Sequence, residues 1–271
     1  MKERVLLFIP MYNCEKQIVR VLGQLSAEVL QYVDQVMLIN NRSIDNGEAA
    51  AISYCEAHPE LPVKIFRNNE NYGLGGSHKV AFRYALENKF DYVIVLHGDD
   101  QGCINDILPY LKNGEAYKYD SFLGSRFEKN SKLINYSAFR IFGNRVFNLF
   151  MTLVLGKKVT DLGSGLNMYK VDYLRSEFYR GFINSLTFNV YMLMYGVFSK
   201  SNFKFFPLEW REDDQVSNAK FLKQSREILK IACGYIFHPA RTFETAETEW
   251  EGISYTSQIV FENAGNKQKQ E

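Results

Sequence analysis

Residues 92–101, YVIVLHGDDQ, place a histidine, two aspartates and a glutamine directly after a short apolar run. A carboxylate at the end of a buried strand is well placed to hold a divalent cation. Mg2+ or Mn2+ takes one or two protein carboxylates and completes its shell with water and substrate phosphates. Asp99 is the candidate ligand, with His97 or Asp100 as the second. The plainer reading is a polar turn, with His97 a packed imidazole and Asp100 a cap for the next helix.

Glycines form the second cluster, NYGLGGSHK at residues 71–79. The P-loop pattern fails, because Lys79 follows Ser77 and His78 and no Ser or Thr comes after it. The dinucleotide fingerprint fails too. Its third glycine would have to be His78, and the segment follows the third strand-like run rather than the first. Two readings remain, a flexible turn before a helix or a loop, opened by Gly73, whose backbone approaches a nucleotide closely.

The elements that must position these residues alternate through the first half. Residues 5–9, stopped by Pro10, and residues 36–39, 63–66 and 92–96 read as buried strands. Residues 17–30 read as a helix with Ile18, Val21, Leu22, Leu25 and Val29 on one face. Residues 48–58 read as another, and Ser77 is placed to cap a third. This order predicts an α/β fold with a mostly parallel central sheet and helices on both faces. Ligands of such sheets bind beyond the carboxyl ends of the strands. PMYN, NNRSIDN, RNNENYG and HGDDQ then share one rim.

The second half is less regular. Residues 121–127 and 202–207 read as strands, 138–155 as a long apolar helix, 161–169 as a loop into a strand, and 221–237 as a helix. After Pro239 the composition turns to Thr, Glu, Asn, Gln and Lys. One domain over 1–238 with a loosely packed C-terminal extension over 239–271 is expected, its end frayed.

Composition excludes several classes. A net charge of +1 gives no global case for nucleic acid. Cys14, Cys55, Cys103 and Cys233 form no C-x-x-C pair, which suits reduced thiols in a cytosolic setting. The N-terminal apolar run is too short for a signal peptide, and no stretch approaches the ~20 apolar residues of a membrane span. The expected location is cytoplasmic, with any lipid contact made at the inner face of the membrane.

IPMYNCEKQI, NNRSIDN, NENYGLGGSHKVAFRYAL, VLHGDDQ, LGSRF, DLGSGLNMYK and FPLEWREDDQVSN occur in the order seen in family 2 glycosyltransferases. From about residue 4 to about residue 230 the chain most resembles the branch that contains dolichyl-phosphate mannose synthase. The resemblance implies the GT-A fold, with a donor half over about 1–127 and an acceptor half over about 128–238. It places Pro10 and Tyr12 in the first nucleotide-binding segment. Asn40 and Asn41 stand where the family carries an acidic pair that reads base and ribose, and Asp45 holds a later acidic position. Amides donate as well as accept, so the base stays open between UDP and GDP donors. HGD lies over the D-x-D metal motif with His97 in its first position, which makes Asp99 the metal residue and gives Gln101 a place beside it. Arg126 is implied to face a donor or acceptor phosphate, and Asp161, Ser164 and Gly165 to lie beside the acceptor. Residues 210–218 resemble the mobile loop that closes over the donor. There Arg211 would neutralise diphosphate charge and Asp213 or Asp214 would reach the acceptor; a solvated charged turn is the bland alternative.

The implied reaction is inverting, metal-assisted sugar transfer from a UDP- or GDP-sugar to polyprenyl phosphate or a surface glycan. The departing diphosphate needs positive charge, from a metal at Asp99 together with Arg126 or Arg211. A hydroxyl acceptor also needs a base, for which Asp161, Asp213 and Asp214 are the candidates; a phosphate acceptor needs none. Spacing singles out no base, and this leans toward phosphate. Within 138–158, Arg140, Asn144, Asn148 and Thr152 make a narrow polar stripe on an apolar helix, with Lys157 and Lys158 after it. Such a helix suits a membrane interface; packing on the core or in a homo-oligomer is the alternative. The competing function is a catalytically impaired nucleotide-sugar-binding or scaffold protein, motivated by Asn40, Asn41 and His97 at acidic positions.

Overall fold

Four apolar runs form the centre of one sheet because both of their faces are covered. A computed structural model of the chain describes residues 2–214, 221–244, 252 and 254–263, without the side chains of 221–223. In chain order the elements are β1 (Val5–Met11), α1 (Glu15–Gly23), β2 (Gln35–Asn40), α2 (Gly47–Ala57), β3 (Val63–Asn68), α3 (Gly73–Glu87), β4 (Tyr92–Leu96), α4 (Leu108–Lys112) and β5 (Ser121–Ser125). There follow β6 (Lys132–Ile134), α5 (Ala138–Leu155), β7 (Leu166–Lys170), α6 (Val171–Leu174), α7 (Phe188–Phe198), β8 (Phe203–Pro207), β9 (Glu209–Arg211), α8 (Phe221–Phe237) and β10 (Ser257–Glu262).

Eight strands form the main sheet in the order β10-β3-β2-β1-β4-β7-β5-β8, and β6 pairs with β9 in a small second sheet. The pairs among β1 to β4 are parallel, as is β5 with β8, whereas β7 runs antiparallel between β4 and β5. Successive side chains of a strand point to opposite faces. Leu7, Ile9, Leu38 and Ile94 therefore pack with Ile18 and Ala51 on one face, while Leu6, Phe8, Met37 and Val95 pack with Phe82 and Phe188 on the other. Because β7 enters at the carboxyl end of β4, with Leu166 opposite Leu96, the loop before β7 joins the rim that carries residues 97–101.

Three expectations are corrected. Pro10 does not end the first strand; it pairs with Ile39 inside β1, near a strand end where its missing N–H is tolerated. Ser77 caps no helix, since α3 begins at Gly73 and the Ser77 hydroxyl donates to Gly73 O at 3.2 Å within its first turns. In the tail, residues 257–262 are a strand paired antiparallel with β3 instead of a loose appendage. The glycine-rich run also serves packing. A Cβ on Gly75 would lie 2.6 Å from Ile183 O and 2.8 Å from Phe188 Cδ2, so α3 seats on the residue 183–188 segment only without a side chain there.

Candidate functional site

A cavity of about 600 Å³ opens at this rim, between the ends of β1, β2, β4 and β5, the loop before β7, and helices α5 and α7. Of the sequence-predicted residues, Pro10, Tyr12, Asn41, Gly73, His97, Asp99, Gln101, Arg126, Ser164, Gly165 and Asp214 line it. Asn40, Asp45, Asp161, Arg211 and Asp213 do not.

On the donor side the adjacent amides Asn40 and Asn41 diverge. The side chain of Asn41 faces the cavity, where Oδ1 accepts from Asn68 Nδ2 (2.9 Å) and Tyr72 N (3.0 Å), and Nδ2 donates to Asn71 Oδ1 (2.8 Å). Asn40 turns away, giving its Nδ2 to Glu48 (2.7 Å) and accepting Ser43 N (2.8 Å). Glu48 is in turn ion-paired with Arg67. Asp45 accepts the N–H groups of Glu15 (2.9 Å) and Gly47 (3.1 Å). Asn40 and Asp45 thus hold the loop together and do not reach the cavity.

In the turn after β4, each residue has a separate duty. His97 N donates to Gly165 O (2.8 Å) and Gly98 N to Pro10 O (3.1 Å), tying the turn to its two neighbouring segments. Asp100, with φ +58, points away from the cavity. Its buried carboxylate takes Arg20 Nε at 2.6 Å and Gln24 Nε2 at 3.0 Å, so it caps no helix. Asp99 faces the cavity and accepts Gln101 N at 3.2 Å; burial pushes its carboxyl up to about 6. Burial pushes the His97 imidazole down to about 4, and its Nε2 has no partner among the described residues.

No group of three His, Cys, Asp or Glu side chains converges among the described residues. A one-carboxylate site is what these residues can offer a metal. Asp99 is a half-buried carboxylate that faces the cavity with no cationic partner among the described residues, and a divalent cation there would supply the missing countercharge. The residues fit Mg2+ or Mn2+ on that basis.

On the acceptor side, Arg126 follows β5 and is gripped by Asp161. Arg126 Nε donates to Oδ2 (2.8 Å), Nη2 to Oδ1 (2.7 Å) and the backbone N to Oδ2 (2.9 Å), and Gly163 N adds a further bond to Oδ1 (3.1 Å). The guanidinium also lies 5.2 Å from the Trp210 ring. Asp161 is therefore fully engaged and is not a free base. The Ser164 hydroxyl donates to Leu166 O (3.1 Å) and is likewise spent on the backbone.

The segment after β8 follows the alternation of a strand. Trp210, Glu212 and Asp214 face the cavity, while Arg211 and Asp213 do not. Arg211 pairs with Glu209 (3.2 Å) and Asp213 accepts from Asn135 (2.7 Å), both outside the cavity lining. Asp214 is held by Arg20 at 2.8 Å. Residues 215–218 of this segment lie outside the described residues. Tyr136, Arg140, Asn144, Asn189, Trp210 and Glu212 also line the cavity without having been singled out for it. A period-two reading of residues 210–214 would have found Trp210 and Glu212.

Helix α5 has two unlike faces. Its polar stripe turns inward: Arg140 pairs with Glu212, Asn144 donates to Tyr136 Oη (3.1 Å), and buried Asn148 donates to Thr160 O (2.6 Å). Outward stand Phe139, Phe142, Val146, Leu149 and Leu153, each between 48% and 75% exposed. By length and composition alone the 18-residue α5 could cross a membrane, contrary to expectation, and few of its residues are buried.

The sequence profile of glycosyl transferase family 2 matches residues 7–178. An undecaprenyl-phosphate mannosyltransferase of Micrococcus luteus is 28% identical over 174 residues, which cover 64% of this chain and 69% of that protein. Among solved structures, Mycobacterium tuberculosis glucosyl-3-phosphoglycerate synthase, in complex with Mn2+, UDP and phosphoglyceric acid, aligns with a TM-score of 0.59 at 15% identity, over 95% of this chain and 86% of that one. A Pyrobaculum calidifontis mannosyltransferase, in complex with GDP-Man and Mn2+, aligns with a TM-score of 0.56 at 16% identity, over 92% of this chain and 67% of that one. At such identities the two structures speak for the fold alone.

Proposed function

The chain belongs to glycosyl transferase family 2 and is a glycosyltransferase of GT-A fold, and from that premise we propose that it transfers a hexose from a UDP- or GDP-sugar to polyprenyl phosphate, with inversion. The observation that carries this reading is the two-faced helix α5. Its Arg140 and Asn144 line the cavity while Phe142, Val146, Leu149 and Leu153 stand exposed on its outer face. An acceptor with an anionic head and a hydrocarbon tail asks for that combination. Exposed Arg145, Lys157 and Lys158 stand on the same helix and its C-terminal end, suited to an anionic lipid surface.

The state of the carboxylates favours phosphate over a glycan hydroxyl. A hydroxyl needs a base, and of the aspartates expected in that role Asp161 is paired with Arg126, Asp214 with Arg20, and Asp213 does not line the cavity. An ionised phosphate oxygen attacks the anomeric carbon from the side opposite the diphosphate. The new C–O bond forms as the bond to the diphosphate breaks, and no proton has to be removed. Arg126, Arg140 and Tyr136 supply donors on the acceptor side. Mg2+ or Mn2+ held by Asp99 would supply positive charge against the departing diphosphate. The relative from Micrococcus luteus, an undecaprenyl-phosphate mannosyltransferase, supports the same acceptor class.

The test is transfer of labelled hexose from UDP- and GDP-sugars into vesicles with and without undecaprenyl phosphate. The expected product is label in the lipid fraction that depends on the polyprenyl phosphate. Label passed only to free glycans, with none in lipid, overturns the assignment of the acceptor.

A further inference from the structure

Arg20, on α1, spends the two edges of one guanidinium on carboxylates from distant segments. Its Nε donates to Asp100 Oδ2 at 2.6 Å and its Nη2 to Asp214 Oδ1 at 2.8 Å. A planar fork that holds two carboxylates has little freedom left, so the contact with Asp214 fixes the guanidinium with Nε turned to Asp100. Gln24 follows four residues on, on the same side of the helix. Its Nε2 donates to Asp100 Oδ1 at 3.0 Å, and its Oε1 accepts Ile104 N at 2.9 Å. Arg20, Gln24 and Asp100 all stand outside the cavity lining.

The turn these side chains hold is the one that presents Asp99. Asp100 has φ +58, a left-handed backbone that a residue other than glycine keeps where its surroundings over-determine it. Here the determinant is its buried carboxylate, gripped on both oxygens by Arg20 and Gln24. With Asp100 turned toward α1, Asp99 before it and Gln101 after it face the cavity. The bond that Asp99 accepts from Gln101 N, at 3.2 Å, is made within the same turn, so the direction of its carboxylate rests on how the turn is anchored. Resting on the transferase reading above, we propose that Arg20 is a positioning residue of the donor site: by gripping Asp100 it aims the Asp99 carboxylate at the cation that accompanies the donor diphosphate. Arg20 touches no substrate, and its effect passes through the backbone of residues 99–100. Groups that orient a ligating carboxylate from behind tune its affinity for the metal.

The test measures the affinity for UDP and GDP by titration calorimetry, once with Mn2+ and once with chelator. Arg20→Gln is expected to weaken the better-bound diphosphate roughly 10-fold in Mn2+ and to leave it unchanged in chelator. Arg20→Lys keeps the charge but cannot span two carboxylates, so it is expected to share the loss. Full rescue by lysine would reduce the contact to charge alone and overturns the assignment. Equal weakening in both conditions, or none in either, marks a residue that serves only the fold and overturns it too. If Arg20→Gln fails to fold, Asp100→Asn decides: it keeps the volume, surrenders one of the two anchored oxygens, and should show the same loss confined to Mn2+. Absence of that loss sinks the proposal. A wild type whose diphosphate affinity is indifferent to Mn2+ overturns this assignment alone; one that binds no nucleoside diphosphate overturns the transferase reading with it.

Discussion

Arg126 and Asp161 form a two-pronged ion pair across 35 residues of sequence, with side chains only 12% and 1% exposed. Removing one partner of such a pair strands a buried charge. Asp161→Ala is expected to lower unfolding stability by about 3–5 kcal/mol, read by denaturant titration. A variant as stable as the wild type would return Asp161 to the list of free carboxylates.

Asp99 is expected to be needed for turnover and not for folding. Asp99→Asn should lower transfer by at least roughly 100-fold, the scale of losing one electrostatic contact to a developing charge. The same substitution tests the raised carboxyl pKa. A carboxyl held near 6 rather than 3.8 binds its proton more tightly in the folded state, so its contribution to stability is present below 3.8 and lost as pH rises through about 6. In chelator, Asp99→Asn should therefore melt higher than the wild type at pH 8, with the difference closing toward pH 4.

His78 works in the opposite direction. It is fully buried, its Nδ1 pairs with Leu74 O at 2.8 Å, and burial pushes it down to about 3. Its contribution is present above pH 6.5 and is lost as pH falls toward 3, because the unfolded chain takes the proton first. Stability should decline by up to about 1.4 kcal/mol per pH unit below pH 6.5 from this group alone. His78→Leu should flatten that slope; an unchanged slope would assign the acid sensitivity elsewhere.

The outer face of α5 gives a separate measurement. Phe142→Glu with Leu149→Glu should weaken sedimentation with anionic vesicles by at least roughly 10-fold, since each apolar side chain contributes about 1.5–3 kcal/mol on burial. Turnover on a short, water-soluble prenyl phosphate should persist. Equal loss on both acceptors would mean that the face serves the fold.

Much of the architecture was legible because its signals are local. The runs that became β1, β2 and β4 are apolar, as strands covered on both faces must be, and α5 and α8 begin and end where the sequence placed them. The three-residue strands β6 and β9 carry no periodic signal, and the polar composition around β10 concealed its pairing with β3. The site was half legible. Residue type indicated that Asp99 and Arg126 sit at the rim, but not that Arg126 would be matched with Asp161, because that pairing is set by β5 and the loop before β7 meeting in space. At 40–41 and 210–214, side-chain alternation decided which members face the cavity, and a list of polar residues ignores it.

The pairing of β10 with β3 bears on how the chain is made. Residues 63–68 leave the ribosome nearly two hundred residues before their partner, 257–262, and at ~5–20 residues per second β3 waits at least ~10 s with one edge open. An open edge is a template for a neighbouring nascent chain. Lys64 and Arg67 interrupt this one, and their eventual ion-pair partners are Glu262 and Glu48. Until Glu262 arrives, Lys64 is a bare charge on that edge: a guard against mispairing during synthesis that becomes a fastening once the strand docks.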